Sequence, residues 1–295
     1  MGTALITGAT AGIGLEIAWQ LAQAHHDLVL VARDETRLDQ TAAQIHQLAG
    51  VGVQVLPADL STAAGRRAVA DRLRRPSPGG GASGKGAQAP GAQDATPPAS
   101  SVTGARGPRT AEEVAARPVD LLVNNAGFAV GQPFASGAIE QERRALDVMV
   151  GAVMELTHAV VPGMVERGHG AILNVASVTA LTAMGTYAAH KAWVRTFTEG
   201  LASELRGTGV TVTVVNPGLT HSEFHARAGM DEDAWPGIVW LRAEDVARDA
   251  LAAVRRGQVI CTPSVRYQAV NAALRLSPRW LVRRVAGHAS VRTRY

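Results

Sequence analysis

With 295 residues, 46% of them hydrophobic, the chain is long enough to bury one sizeable core. It carries 29 basic and 25 acidic residues for a net charge of +4, and no uninterrupted apolar run of about 18 residues, so no membrane span is expected. The single cysteine, Cys261, excludes an intramolecular disulfide, and the nine histidines show no metal-ligand spacing, so no metal is expected.

Met1 leads straight into Thr3-Ala4-Leu5-Ile6-Thr7, which leaves no room for a signal peptide. With the lone cysteine, this makes a reducing, cytoplasmic location the expectation. Residues 3–60 alternate between strand and helix patterns. Ala4-Leu5-Ile6, Leu28-Val29-Leu30-Val31 and Val53-Gln54-Val55-Leu56 are short apolar runs, the pattern of parallel strands covered on both faces. Between the first two, Ile13, Ile17 and Leu21 recur at helical spacing. Ser61 is placed to cap the helix after Asp59-Leu60.

From Pro76 to Arg109 the pattern stops: 25 of 34 residues are Gly, Ala, Pro or Ser. Such a segment buries too little apolar surface to offset its ordering entropy, which predicts a disordered insertion with Lys85 as a solvated charge. The alternation resumes with a helix end at 110–117 and strands at 119–123, 171–175 and 210–215. Helices lie near 138–166, 186–206 and 243–256. The fold class is therefore α/β, a doubly wound parallel sheet of Rossmann type with helices on both faces. One domain spans residues 1–260 around the insertion at 76–109, followed by a basic extension at 261–295.

Two motifs carry chemistry. Thr7-Gly8-Ala9-Thr10-Ala11-Gly12-Ile13-Gly14 joins the first strand to the first helix. Glycines there permit positive φ and let backbone N–H groups approach a pyrophosphate at the helix N-terminus. The second strand ends Val31-Ala32-Arg33-Asp34. Ala32 should face the ribose, with Arg33 placed to fork onto a 2′-phosphate, so NADP(H) is favoured over NAD(H). Asp34 is the alternative, as an acid selecting NAD.

The second motif is Tyr187-Ala188-Ala189-His190-Lys191. Residues four apart on a helix share one face, so phenol and ammonium sit a turn apart. The ammonium should favour phenolate, lower the tyrosine pKa and make a proton shuttle. Only two lysines stand against 27 arginines, and Lys191 is the one outside the insertion. A lysine retained in so arginine-biased a chain points to chemistry that a guanidinium does not perform.

With Asn124-Asn125-Ala126-Gly127 and Asn216-Pro217-Gly218, these motifs resemble the short-chain dehydrogenase/reductase family in its single-domain form. The resemblance covers residues 3 to about 260 apart from the insertion. It implies that Tyr187 is the acid/base, that Lys191 lowers its pKa and binds the nicotinamide ribose, and that a preceding serine, Ser177, holds the substrate oxygen. It implies a cofactor cleft formed by Gly8, Thr10, Gly12, Ile13 and Gly14, by Arg33, and by Asp59 and Leu60 near the adenine. Asn124, Ala126 and Gly127 would support it from below, and Pro217, Gly218 and Ser222 would close it, Ser222 near the carboxamide. The helices around 146–166 and 186–206 would pair with a second subunit in a homodimer or homotetramer.

Two features depart from that family. Ser177 stands ten residues before Tyr187, closer than is usual, which keeps Thr179 open as a substitute. Met149 stands where many relatives carry an asparagine that anchors a proton-relay water, and a thioether donates no hydrogen bond. The expected function is an NADP(H)-dependent oxidoreductase moving a hydride to or from a small-molecule carbonyl or alcohol. A dinucleotide-binding scaffold with little turnover is the alternative, and an epimerase-like relative a narrower one. Residues 219–241, with Phe224, Met230, Trp235 and Trp240, should form an apolar flap suited to a hydrophobic substrate. Residues 250–295 hold nine arginines and no acid. This basic, amphipathic segment either packs as a solvated helix or touches an anionic membrane weakly. No nucleic-acid motif accompanies it.

Overall fold

The computed structural model describes residues 2–75, 107–222 and 236–287. Seven parallel strands form one sheet: β1 (Thr3–Thr7), β2 (Asp27–Ala32), β3 (Val53–Pro57), β4 (Leu121–Asn124), β5 (Gly170–Val175), β6 (Val210–Val215) and β7 (Ile260–Cys261). Their order is β3-β2-β1-β4-β5-β6-β7, so the chain reverses direction across the sheet between β1 and β4. In doubly wound sheets ligands bind at such a switch point, outside the carboxyl ends of the strands. The strand β7 was not expected from the sequence. Two residues are too short to carry a period, and only pairing with Val214 and Val215 makes them a strand.

Successive strand residues point to opposite faces. Ala4, Ile6, Leu28, Leu30 and Val123 pack on one side, under α1 (Gly12–Gln23), α2 (Glu35–Ala49) and α8 (Ala243–Arg255). Leu5, Val29, Val31, Leu122 and Ile172 pack on the other, under α3 (Ala63–Leu73) and α6 (Ala152–Arg167). This two-sided burial explains why the strands read as continuous apolar runs.

The cap of α3 is Thr62, which accepts from the Gly65 amide at 3.0 Å; Ser61 instead donates to Asp59 at 2.8 Å. The short helix α4 (Ala111–Ala115) opens on a capping box of Thr110 and Glu113. The expected strand at 119–123 begins later, at Leu121. The expected helix at 138–166 is α5 (Ile139–Leu146) and α6 joined through one π-helical turn, Asp147–Gly151. This stretch, Ile139–Arg167, is long and apolar enough to cross a bilayer. Yet half of its most apolar window is buried, with Leu156, Val160 and Met164 inside the core.

Most of the expected insertion lies outside the described residues, Lys85 included. Its last residue is tied down in the loop before α4: Arg109 Nη1 donates to the buried carboxylate of Asp27 at 2.5 Å, fixing the chain's return beside β2. Helix α7 (Gly185–Glu204) packs against β5 and β6. Beyond β7 follow α9 (Val265–Leu276), packed against the segment Val178–Leu181, and α10 (Arg279–Val285), whose Arg279 bonds Leu181 O.

Candidate active site

The glycine turn leaves β1 at Thr7. Gly8 adopts φ +67°, in the left-handed region, where its N–H donates to Val31 O at 2.8 Å. A Cβ on Gly14 would stand 2.3 Å from Gly8 O and 2.4 Å from Asn125 Nδ2, so only glycine lets α1 close on the turn. The residue before α1, Ala11, provides no side-chain cap. The first N–H groups of α1 are therefore left to an anion, which fits a pyrophosphate. Ser222, from the loop after β6, lies over this turn, with its Cβ 3.0 Å from where a Cβ on Gly12 would be.

The turn is tied to Asn125 by bonds that sequence reasoning did not single out. Asn125 Nδ2 donates to Thr7 O and Gly8 O, while Thr7 Oγ1 accepts from the Asn125 and Ala126 amides. Asn124 points the other way, into the core. Its amide donates to Asn174 Oδ1 at 2.9 Å and Thr157 Oγ1 at 3.2 Å, and Asn174 in turn donates to Thr198. This satisfied buried network stiffens the cleft floor from beneath. Ile13 is packed partly on the core.

At the end of β2, Asp34 caps α2 by accepting from the Arg37 amide at 3.0 Å. Arg33 is exposed and close enough to Asp59 for its charge to help hold that carboxyl low. Partial burial pushes Asp59 up, but hydrogen bonds from Ser61 and the positive charges of Arg33 and Arg144 outweigh it. Arg37, missed at the level of sequence, reaches the turn itself, donating to Thr10 O at 3.1 Å. Leu60 is drawn inward: its side chain belongs to the core and its carbonyl accepts from Arg66.

On the substrate side, α7 carries Tyr187 and Lys191. Lys191 is buried and donates to Val175 O at 2.8 Å; its Nζ lies 5.7 Å from the Tyr187 ring centroid, over the ring face. Burial lowers its pKa to about 8. Ser177 meets Tyr187: their hydroxyls are hydrogen-bonded. Ser177 also accepts from the Thr179 amide, at the start of a 3₁₀ turn over Val178–Leu181 that folds the shortened loop back toward α7. Thr179 Oγ1 is buried without a partner among the described residues.

The expected lowering of the tyrosine pKa is not found. Burial of the phenol dominates and pushes it up, with the Ser177 hydrogen bond opposing. The physical reason is that Lys191 faces the ring rather than the hydroxyl, while loss of water penalises phenolate directly. Met149 sits fully buried in the π turn, its Cγ 3.3 Å and Lys191 Nζ 3.5 Å from where a Cβ on Gly127 would lie. Bulk at position 127 would thus crowd both, and Gly127 keeps the cleft open between them.

The C-terminal extension supplies a wall that the motifs did not reveal. Gly218 has no side chain because the Tyr267 ring of α9 occupies its place, 2.0 Å from where a Cβ would lie. Tyr267 Oη accepts from the Leu219 amide at 3.1 Å and donates to Val239 O at 2.8 Å. Pro217 O accepts from the Val178 amide, and Ala286 O from the Ala183 amide. Trp240 stacks on His221 with centroids 4.7 Å apart. Phe224, Met230 and Trp235 of the expected flap lie outside the described residues.

The short chain dehydrogenase family model matches residues 2–76 and 108–233, skipping the insertion. Sulfoacetaldehyde reductase 2 of Chromohalobacter salexigens is 32% identical over 253 residues, covering 82% of this chain and 84% of that protein. A short-chain dehydrogenase from Sphingobium yanoikuyae, solved with NADPH, superposes with a TM-score of 0.73 at 31% identity over the whole of both chains. The bulky-bulky ketone specific alcohol dehydrogenase of Comamonas testosteroni gives a TM-score of 0.69 at 26% identity, covering 93% of this chain and 92% of that one. The glycine turn, Tyr187 beside buried Lys191, and these likenesses agree: the chain belongs to the short-chain dehydrogenase/reductase family and is an oxidoreductase of alcohol and carbonyl groups.

Proposed function

We propose that this protein is an NADP(H)-dependent reductase of a hydrophobic ketone or aldehyde, with Tyr187, Ser177 and Lys191 as its catalytic residues. The observation that carries the reading is the hydrogen bond between Ser177 and Tyr187, one helical turn from buried Lys191. The nicotinamide, when bound, supplies the hydride. Ser177 holds the carbonyl oxygen, and Tyr187, kept protonated at neutral pH by burial, gives its proton to the oxygen as negative charge develops there. Lys191, charged below about pH 8, stabilises the phenolate that this transfer leaves behind.

Three features support NADP(H). Asp34 is engaged as a helix cap, Arg33 is exposed beside the cleft, and Arg37 reaches Thr10 in the turn. A guanidinium forks readily onto a phosphate monoester. The dinucleotide would lie along the α1 N-terminus, with Asp59 toward the adenine and Ser222 across the glycine turn. The aromatic faces of Trp240, stacked on His221, and of Tyr267 favour a hydrophobic substrate. Exposed Leu146, Met154 and Val165 support a homo-oligomer in which the helices around 146–166 and 186–206 pair with a second subunit, and the single cysteine suits a reducing cytoplasm.

The test is NADPH oxidation against a panel of ketones and aldehydes graded by apolar bulk. Turnover that rises with bulk is expected, whereas no turnover with any member would favour the scaffold reading, which buried Met149 also supports through its lack of a hydrogen-bond donor.

A further inference from the structure

Helix α9 is amphipathic twice over. Tyr267, Asn271 and Leu274 face the protein, Asn271 buried and the other two partly so. On the opposite side Val265, Ala269, Ala272 and Leu276 recur at i, i+4, i+7 and i+11, one continuous stripe, and all four are exposed. Val265 is 78% exposed and Leu276 86%. Arg266 and Arg275 flank the stripe on either side. Four residues past Leu276, α10 adds Trp280, 60% exposed, and Val285, 69% exposed, among exposed Arg279, Arg283 and Arg284.

We propose that the exposed stripe of α9, with exposed Trp280 of α10 beyond its end, is a docking surface for an anionic membrane, beside the loop between Ser177 and Tyr187. An apolar stripe bordered by arginines, with a tryptophan at its end, matches the boundary between acyl chains and headgroups. Charge selects the occupant. Residues 250–295 contain nine arginines and no acid, so against a total of +4 the rest of the chain carries −5, and a negative surface attracts this end while repelling the remainder. A second copy meeting the same face about a two-fold axis would set arginine against arginine. The exposed apolar residues of α5 and α6 lack this character, since Leu146 and Met154 adjoin Asp147 and Glu155.

The surface is rigidly coupled to the site. Arg279 Nη1 donates to Leu181 O at 3.0 Å, Ala286 O accepts from Ala183, and Tyr267 bonds Leu219. Docking would therefore hold the loop between Ser177 and Tyr187 close to the membrane, one helix away from lipid, where an apolar substrate is concentrated. This last consequence rests on the function proposed above, but the docking itself does not.

Sedimentation of the full chain with vesicles tests it. Binding is expected to vesicles of phosphatidylcholine and phosphatidylglycerol in equal parts, with release by added salt, and not to phosphatidylcholine alone. Val265→Asp with Leu276→Asp should abolish sedimentation while melting temperature and light-scattering mass stay unchanged. Arg275→Gln, Arg283→Gln and Arg284→Gln together keep the apolar stripe and should weaken binding by about fivefold per arginine removed. Equal behaviour with charged and neutral vesicles would overturn the proposal. So would a fall in molecular mass caused by the aspartates, which would make the stripe a contact between copies.

Discussion

The two ends of the cleft are built in different ways. At the dinucleotide end, eight consecutive residues from Thr7 to Gly14 make the binding turn, and each glycine answers a local backbone demand: Gly8 its positive φ, Gly14 its approach to Gly8 O. At the substrate end, the wall is assembled from segments far apart in the chain. The π turn with Met149, the loop from Ser177 to Met184, the residues around Gly218, the His221–Trp240 stack and α9 all converge there. A turn dictated by local geometry is hard to alter and easy to recognise. A wall assembled at long range can vary in shape while the chemistry beside it stays the same.

Breaking the catalytic pair should have the largest effect. Tyr187→Phe removes the hydroxyl that bonds Ser177 and should lower kcat by about 10²–10⁴-fold, with NADPH affinity by fluorescence little changed. Lys191→Arg keeps the charge yet should lower kcat by more than about tenfold, since a planar guanidinium does not fit the space over the Tyr187 ring. Retention of wild-type kcat in both would return the protein to the scaffold reading. The sign of the pH dependence follows from Lys191. Its ammonium persists below about pH 8 and is lost above, so kcat/KM for reduction should fall as pH rises through that value.

The dinucleotide end is sharpened by Arg33→Ala. Losing a charge-assisted contact to the 2′-phosphate should weaken NADPH by about tenfold, roughly 1.4 kcal/mol, and leave NADH unaffected. Titration of both cofactors decides it, and equal weakening would move attention to Arg37 and its hold on Thr10.

Tyr267→Phe probes the long-range wall. It removes the bonds to Leu219 and Val239 while leaving the ring against Gly218. A rise of a few-fold in substrate KM is expected, together with a loss of about 1 kcal/mol in stability, and no change in NADPH affinity. A matching loss of NADPH affinity would mean that the two ends are not independent. Deleting residues 78–107 should have the smallest effect of all, leaving melting temperature and cofactor affinity near wild type. The deletion spares Arg109, whose ion pair with buried Asp27 holds the chain's return. A large drop on deletion would show that the segment packs on the fold.

The doubly wound sheet and the dinucleotide turn could be read from residue order alone. Two-sided burial writes itself as runs such as Leu28–Val31, and a strand–glycine–helix junction needs its glycines at fixed places. The Tyr187–Lys191 spacing likewise follows from helical geometry. What residue order did not contain was anything set by partners distant in the chain. The strand β7 exists only through its pairing with β6. Ser177 rather than Thr179 reaches Tyr187 because a 3₁₀ turn, pinned through Ala183 to Ala286, folds the short loop back. The tyrosine pKa moved against expectation because burial is a property of the packed protein, and helical spacing records the neighbour without recording the water it displaces.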